Sequence, residues 1–129
     1  MATPKRKHST IERELARALT TACEAAKSEM VGFEWLTHRV DYARFPESLI
    51  VTWVFDRDSH LDQAVAGQAK AHMHALTLAA FDEIGISVKD IARHVEVDSQ
   101  QRCDTQHGGD WAARIDSRLR KEGRRGQGH

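Results

Sequence analysis

The residues in this 129-residue chain whose types and spacing could do chemistry fall into three groups. The first is cationic. Lys5, Arg6 and Lys7 stand near the N-terminus, and Arg118, Arg120, Lys121, Arg124 and Arg125 near the C-terminus. Such side chains neutralise phosphates and release counterions, so they suit sequence-independent contact with DNA or RNA. They also suit a solvated terminus, or one folded back on an acidic surface of the same chain. The second group is Cys103-x-x-x-His107, one helical turn apart, with Asp104 and Asp110 nearby. A structural zinc needs four ligands, and no second pair completes this set. His72 and His74 point apart on a helix. Cys103 therefore reads as a small buried apolar residue and His107 as a polar helix-end residue, with a metal site the weaker use of both. The third group is Trp111, Ile115 and Leu119, which line one side of a short helix. It could dock on another chain, but a short helix is unstable alone and self-docking is favoured.

No Gly-x-Ser-x-Gly, Gly-rich phosphate loop or His-Glu-x-x-His occurs in the chain. No catalytic residue and no cofactor is assigned. The formal net charge is zero, but residues 11–110 carry 10 basic and 17 acidic side chains, so an acidic body bears two basic ends. No apolar run approaches the roughly 18 residues that span a bilayer. The N-terminus lacks the apolar segment of a signal peptide. A cytoplasmic protein with no membrane partner and with Cys23 and Cys103 reduced is expected.

Elements able to position these groups follow from periodicity. Ser9-x-x-Glu12 reads as a capping box opening a helix whose apolar face is Ile11, Leu15, Leu19, Ala22, Cys23, Ala26 and Met30. Residues 33–41 and 48–56 read as two strands joined by a loop containing Pro46, most simply as an antiparallel pair. Asp58-Ser59 caps a helix with the stripe Leu61, Val65, Ala69, Met73, Leu76, Ala80 and Ile84, stopped by Gly85. Residues 86–107 admit two readings. In one, 91–97 is a strand and Asp98-Ser99 caps a helix ending at His107. In the other, 88–95 and 99–107 form a helix–turn–helix.

The string Ser87-Val88-Lys89-Asp90-Ile91-Ala92-Arg93, with Val97, resembles the opening of the helix–turn–helix in repressors of the lactose-repressor family. That motif wants a residue tolerant of positive φ where Glu96 stands, and an inward apolar residue where Arg102 stands. The strand reading is preferred on those grounds. Over roughly residues 11–115 the chain resembles a group of short proteobacterial proteins often labelled "Fis family transcriptional regulator". The segments that carry this are Phe33-Glu34-Trp35-Leu36-Thr37-His38, Phe45-Pro46-Glu47-Ser48-Leu49, Val54-Phe55-Asp56 and His107-Gly108-Gly109-Asp110-Trp111. The resemblance implies a bacterial cytoplasmic protein. True Fis is an all-helical dimer ending in a helix–turn–helix, so no DNA-contacting residue is carried over.

The expected fold is α+β, a small two-layer sandwich of order α-β-β-α-β-α with a short C-terminal amphipathic helix. Its antiparallel three-stranded sheet has the two long helices on one face. The other face, with Ile50 and Val54, needs the last helix or a second copy to cover it. Residues 1–8 are expected to form a disordered arm, 9–122 one domain and 123–129 a disordered tail. The leading functional expectation is a non-enzymatic regulatory or accessory protein, associated with nucleic acid through its basic termini. The alternative is a protein-interaction module or homodimer using the exposed sheet face and the Trp111 helix. A metal-dependent enzyme is the third.

Overall fold

A computed structural model describes the backbone of residues 7–127 and the side chains up to Arg120. Lys5 and Arg6 lie outside the described residues, as do the side chains of Lys121, Arg124 and Arg125. The described part is α+β, with five α-helices and one three-stranded sheet.

Helix α1 spans His8–Lys27 and buries Ile11, Leu15, Ala18, Leu19, Ala22 and Ala26, the face its spacing predicts. Its start differs from expectation. The N-cap position is Lys7, which makes no side-chain cap bond, and the Ser9–Glu12 box does not form. Glu12 is drawn instead to His38, at 2.9 Å, and to the Tyr42 hydroxyl. A long-range partner has outcompeted the local cap. The chain then turns at Gly32, whose φ of +80° favours glycine; a Cβ there would collide with the His60 ring.

Strand β1 spans Phe33–Arg39 and pairs antiparallel with β2, Ile50–Phe55, through a bulge between Phe33 and Trp35. The residues from Phe33 to Phe55 thus form the long-looped hairpin that their alternation implies.

The single helix expected over residues 58–85 is two. Helix α2 spans Asp58–Ala66 and α3 spans Ala69–Glu83, with Gly67 extended between them. Glycine lacks the helix preference of its neighbours, by about 1 kcal/mol against alanine. The break re-phases the stripe: Met73, Thr77, Ala80 and Phe81 face inward on α3, while Val65 is 38% exposed.

The segment after α3 contains a strand, not a helix–turn–helix. A 3₁₀ turn covers Ile91–His94, with the Asp90 carboxylate accepting from the Ala92 N–H, and β3 spans Val95–Ser99. The strand therefore starts four residues later than expected. It also runs parallel to β2, so the sheet is mixed and not all antiparallel. The reason is the connection: a crossover through two helices returns the chain to the end of the sheet where β2 began. Sheet order is β1-β2-β3.

Ser99 caps α4, Gln100–His107, by accepting from the Arg102 N–H at 3.0 Å, and Gly108 closes it in the left-handed region. Helix α5 spans Trp111–Gln127, with Asp110 accepting from the Ala113 N–H at 3.0 Å. It continues four residues beyond Gly123, where a stop was expected.

The main core lies between one sheet face (Phe33, Val51, Trp53, Phe55) and helices α1, α2 and α3. Within it, Trp53 Nε1 donates to Thr77 Oγ1 at 3.2 Å, and that hydroxyl donates to the Met73 carbonyl at 2.8 Å. Every polar atom of that pair is thereby satisfied.

Candidate functional site

Register decides what the second sheet face presents. Thr37, Thr52 and Glu96 are cross-strand neighbours, as are Trp35, Val54 and Asp98. Alternation turns all six away from the main core. Two carboxylates on β3 therefore look out over a face that also bears Trp35 and Val54. Asp98 and Val54 are nonetheless fully buried, because α5 lies across them.

The helix is held by arginines. Arg114 donates from Nε to Asp98 Oδ2 at 2.6 Å and from Nη2 to Oδ1 at 2.9 Å, a bidentate pair. Its Nη1 donates to Gln106 Oε1 at 2.7 Å and faces His107 Nδ1 at 3.2 Å. Arg118 bridges the two carboxylates, from Nη1 to Glu96 Oε2 at 2.8 Å and from Nη2 to Asp98 Oδ2 at 2.7 Å. Glu96 also accepts from Arg39 Nη1 at 2.5 Å and from Thr52 Oγ1 at 2.6 Å. Three guanidinium groups thus meet two carboxylates. At the start of α5, Trp111 packs edge-on against Trp35 with ring centroids 4.9 Å apart and donates from Nε1 to Gln100 Oε1 at 3.0 Å.

Burial pushes the pKa of both Glu96 and Asp98 up, but the hydrogen bonds and charges of the arginines push further the other way. Both carboxyls end below their ordinary values. The sign for stability follows. A depressed native pKa adds stability that is complete above the unfolded value, about 4, and is lost as pH falls through the native one. The urea midpoint should therefore drop between pH 5 and pH 2. Asp98→Asn should flatten that drop while lowering the midpoint at pH 7. An unchanged pH profile in the variant would contradict this role for Asp98.

The sequence-predicted residues distribute unevenly around this network. Trp111 is half-buried against Trp35 of the chain's own sheet, Ile115 is half-buried, and Leu119 is 40% exposed. The sheet face proposed for a dimer is thus covered by α5. Arg118 belongs to the clasp, whereas Arg120 is exposed and pairs with Asp116 one turn back, at 2.8 Å. Lys7 is exposed at the start of α1. Cys103 is fully buried, and burial raises its thiol pKa. His107 turns its ring to Arg114, so the two do not share a ligand position. Among the described residues no group of three or more His, Cys, Asp or Glu side chains could hold a metal ion. No described helix is long and apolar enough to cross a membrane.

The clasp also sets the direction of α5. Arg114 meets Asp98 and Arg118 meets Glu96, so the helix runs antiparallel to β3. Its remaining nine residues extend about 13 Å further, past Val95. That is the end of the sheet where Arg39 pairs with Ile50. The start of α1 lies at the same end: His8 stacks on Tyr42, just beyond Arg39, with ring centroids 4.1 Å apart. Arg44 and Arg93, in the 3₁₀ turns that follow β1 and precede β3, lie there too, together with the turn-capping Asp41, 3.7 Å from Arg44, and Asp90.

Reasoning from the sequence missed Arg39, Glu96, Asp98 and Arg114. The signal was present in part, since Glu96 and Asp98 alternate with Val95 and Val97, and Arg114 and Arg118 are one helical turn apart. Comparison of the chain with protein-family models, with curated proteins and with solved structures returned no match.

Proposed function

We propose that this chain is a non-enzymatic accessory protein that holds nucleic acid against one end of its sheet. The observation that carries the reading is convergence. Among the described residues, Lys7 at the start of α1 and the outer turns of α5 stand at the same end of the sheet, as do Arg44, Arg93 and Arg120. The acidic surplus lies within residues 11–110. A phosphate backbone would be drawn to the basic termini, although Arg44 and Arg120 already pair with Asp41 and Asp116. Nothing in the reading requires base recognition, because among the described residues no helix–turn–helix is found and no aromatics alternate with these arginines in the sequence.

The expected result is weak binding of labelled duplex DNA or RNA, with Kd on the order of 10⁻⁴ to 10⁻⁶ M and little sequence preference. About five phosphate contacts would weaken binding roughly 10²- to 10³-fold between 50 and 200 mM salt. Replacing Arg120, Lys121, Arg124 and Arg125 by Ala should abolish most of it with no loss of fold, since Arg114 and Arg118 are retained. Fluorescence anisotropy across a salt series reads all of this. No anisotropy change at low salt, with either nucleic acid, rejects the reading.

A further inference from the structure

The clasp and the cationic end share one residue. Arg118 lies on the helix that carries the C-terminal basic cluster, two positions before Arg120, yet both its terminal nitrogens are committed to Glu96 and Asp98. It is 25% exposed and sits where α5 leaves the sheet, whereas Arg114, four residues earlier, is 5% exposed. Glu96 is the accessible half of the clasp: its side chain is 28% exposed, against 1% for Asp98. A second feature points the same way. Beyond Ile115 the apolar hold on the sheet fades, since Leu119 is 40% exposed. The outer part of the described helix is therefore kept down by charge more than by packing.

We propose that Glu96 is an autoinhibitory counter-ion: it holds Arg118 and the outer turns of α5 on the sheet, and a phosphate backbone competes with it for that arginine. This inference rests on the nucleic-acid reading above. In the closed form Arg118 is withheld from the ligand, and Glu96 adds a repelling negative charge beside the binding end. In the bound form one phosphate replaces the Glu96 carboxylate on the Arg118 guanidinium. Asp98 and Arg114 keep the base of α5 docked, so only the outer turns move. Arg39 and Thr52 continue to hydrogen-bond Glu96 after Arg118 leaves, which keeps the carboxylate satisfied.

The test uses two variants of one ion pair whose effects should have opposite signs. Glu96→Gln removes the competing charge and loosens Arg118 Nη1, leaving Nη2 on Asp98. It should speed hydrogen exchange at the amides of residues 115–120. It should also tighten binding of a duplex DNA about 3- to 10-fold near 50 mM salt and steepen the log Kd–log salt slope by about 0.9, one added phosphate contact. Arg118→Gln opens the same clasp and should speed the same amides, but with no gain in affinity and no steeper slope. The change of net charge alone would also tighten Glu96→Gln and weaken Arg118→Gln, but without faster exchange at residues 115–120 in Glu96→Gln and without a steeper salt slope. That result, or unchanged exchange in Glu96→Gln, overturns the proposal. Binding by the wild-type protein with no gain in Glu96→Gln overturns this inference alone. No binding by any of the three proteins overturns the nucleic-acid reading and this inference with it. The wild-type chain supplies a further readout independent of how well the variants fold. Its Arg118 side-chain NMR resonance should shift on titration with duplex, and a resonance that stays fixed while the duplex binds overturns the proposal.

Discussion

Replacing Arg114 by Met should destabilise the protein by about 3–5 kcal/mol, near the lower figure, and lower its thermal midpoint by roughly 10–15 °C. The argument is desolvation. Asp98 is fully buried, and Arg114, itself 5% exposed, supplies two of the hydrogen bonds its carboxylate accepts from side chains. Met fills much of the space but leaves the carboxylate with Arg118 and the Ser99 N–H as its remaining partners. An under-compensated buried charge is the costly outcome, not the loss of attraction as such. Hence the double variant Asp98→Leu/Arg114→Met should recover most of the loss, because neither half of the pair then remains. Arg118 would keep Glu96 and its contact with water. Arg114→Lys should recover little, because an ammonium cannot reproduce the two-pronged contact or reach Gln106 at the same time. Urea unfolding of the four proteins at pH 7 checks the series. A single variant within 1 kcal/mol of wild type would show that α5 does not depend on this pair.

How far the sequence discloses the fold depends on whether the deciding contact is local. The inward face of α1, the alternation of β2, the Ser99 cap and the amphipathic start of α5 are set by neighbours within one or two turns, and all are legible. Strand direction is not, because a period of two is the same whichever way a strand runs. The parallel placement of β3 comes from the crossover through α2 and α3, whose break at Gly67 was itself hidden by a stripe that continues formally across it. The Ser9–Glu12 box shows the opposite error: a valid local signal lost to His38 and Tyr42, more than 25 residues away.

The candidate site was the least legible part, for a geometric reason. Asp98 beside Ser99 looks like half of a helix cap, and Arg118 beside Arg120 and Lys121 looks like part of a solvated cluster. Each has its partner about 20 residues away. A strand advances about 6.6 Å over two residues and a helix about 6 Å over four. Carboxylates at 96 and 98 therefore match arginines at 118 and 114 when helix and strand lie antiparallel. That match in spacing can be recognised once β3 and α5 are placed together, but composition and periodicity alone do not bring them there. What the sequence did disclose was the charge asymmetry of the two ends.

On the other face of the sheet, Trp53→Ala should be the most damaging single truncation in the core, at about 3–5 kcal/mol. Trp53 is fully buried in the central strand, between Leu36 of β1 and Val97 of β3 in register, and is packed against Phe33 with ring centroids 5.0 Å apart. Most of the cost is the cavity and the lost apolar contact. A smaller part is the indole N–H, whose removal leaves Thr77 Oγ1 without a donor while its own bond to the Met73 carbonyl survives. Trp53→Phe isolates that smaller part together with a modest loss of volume, and should cost about 1–2 kcal/mol. Because the sheet separates the indole from the arginine clasp, Trp53→Phe and Arg114→Met should add within about 0.5 kcal/mol when combined. Additivity in urea unfolding would mean that α5 is fastened independently of the main core, as a strap that lifts while the domain stays folded must be. A coupling above 1 kcal/mol would mean that the two faces answer to each other through β2, and that the outer turns of α5 cannot open alone.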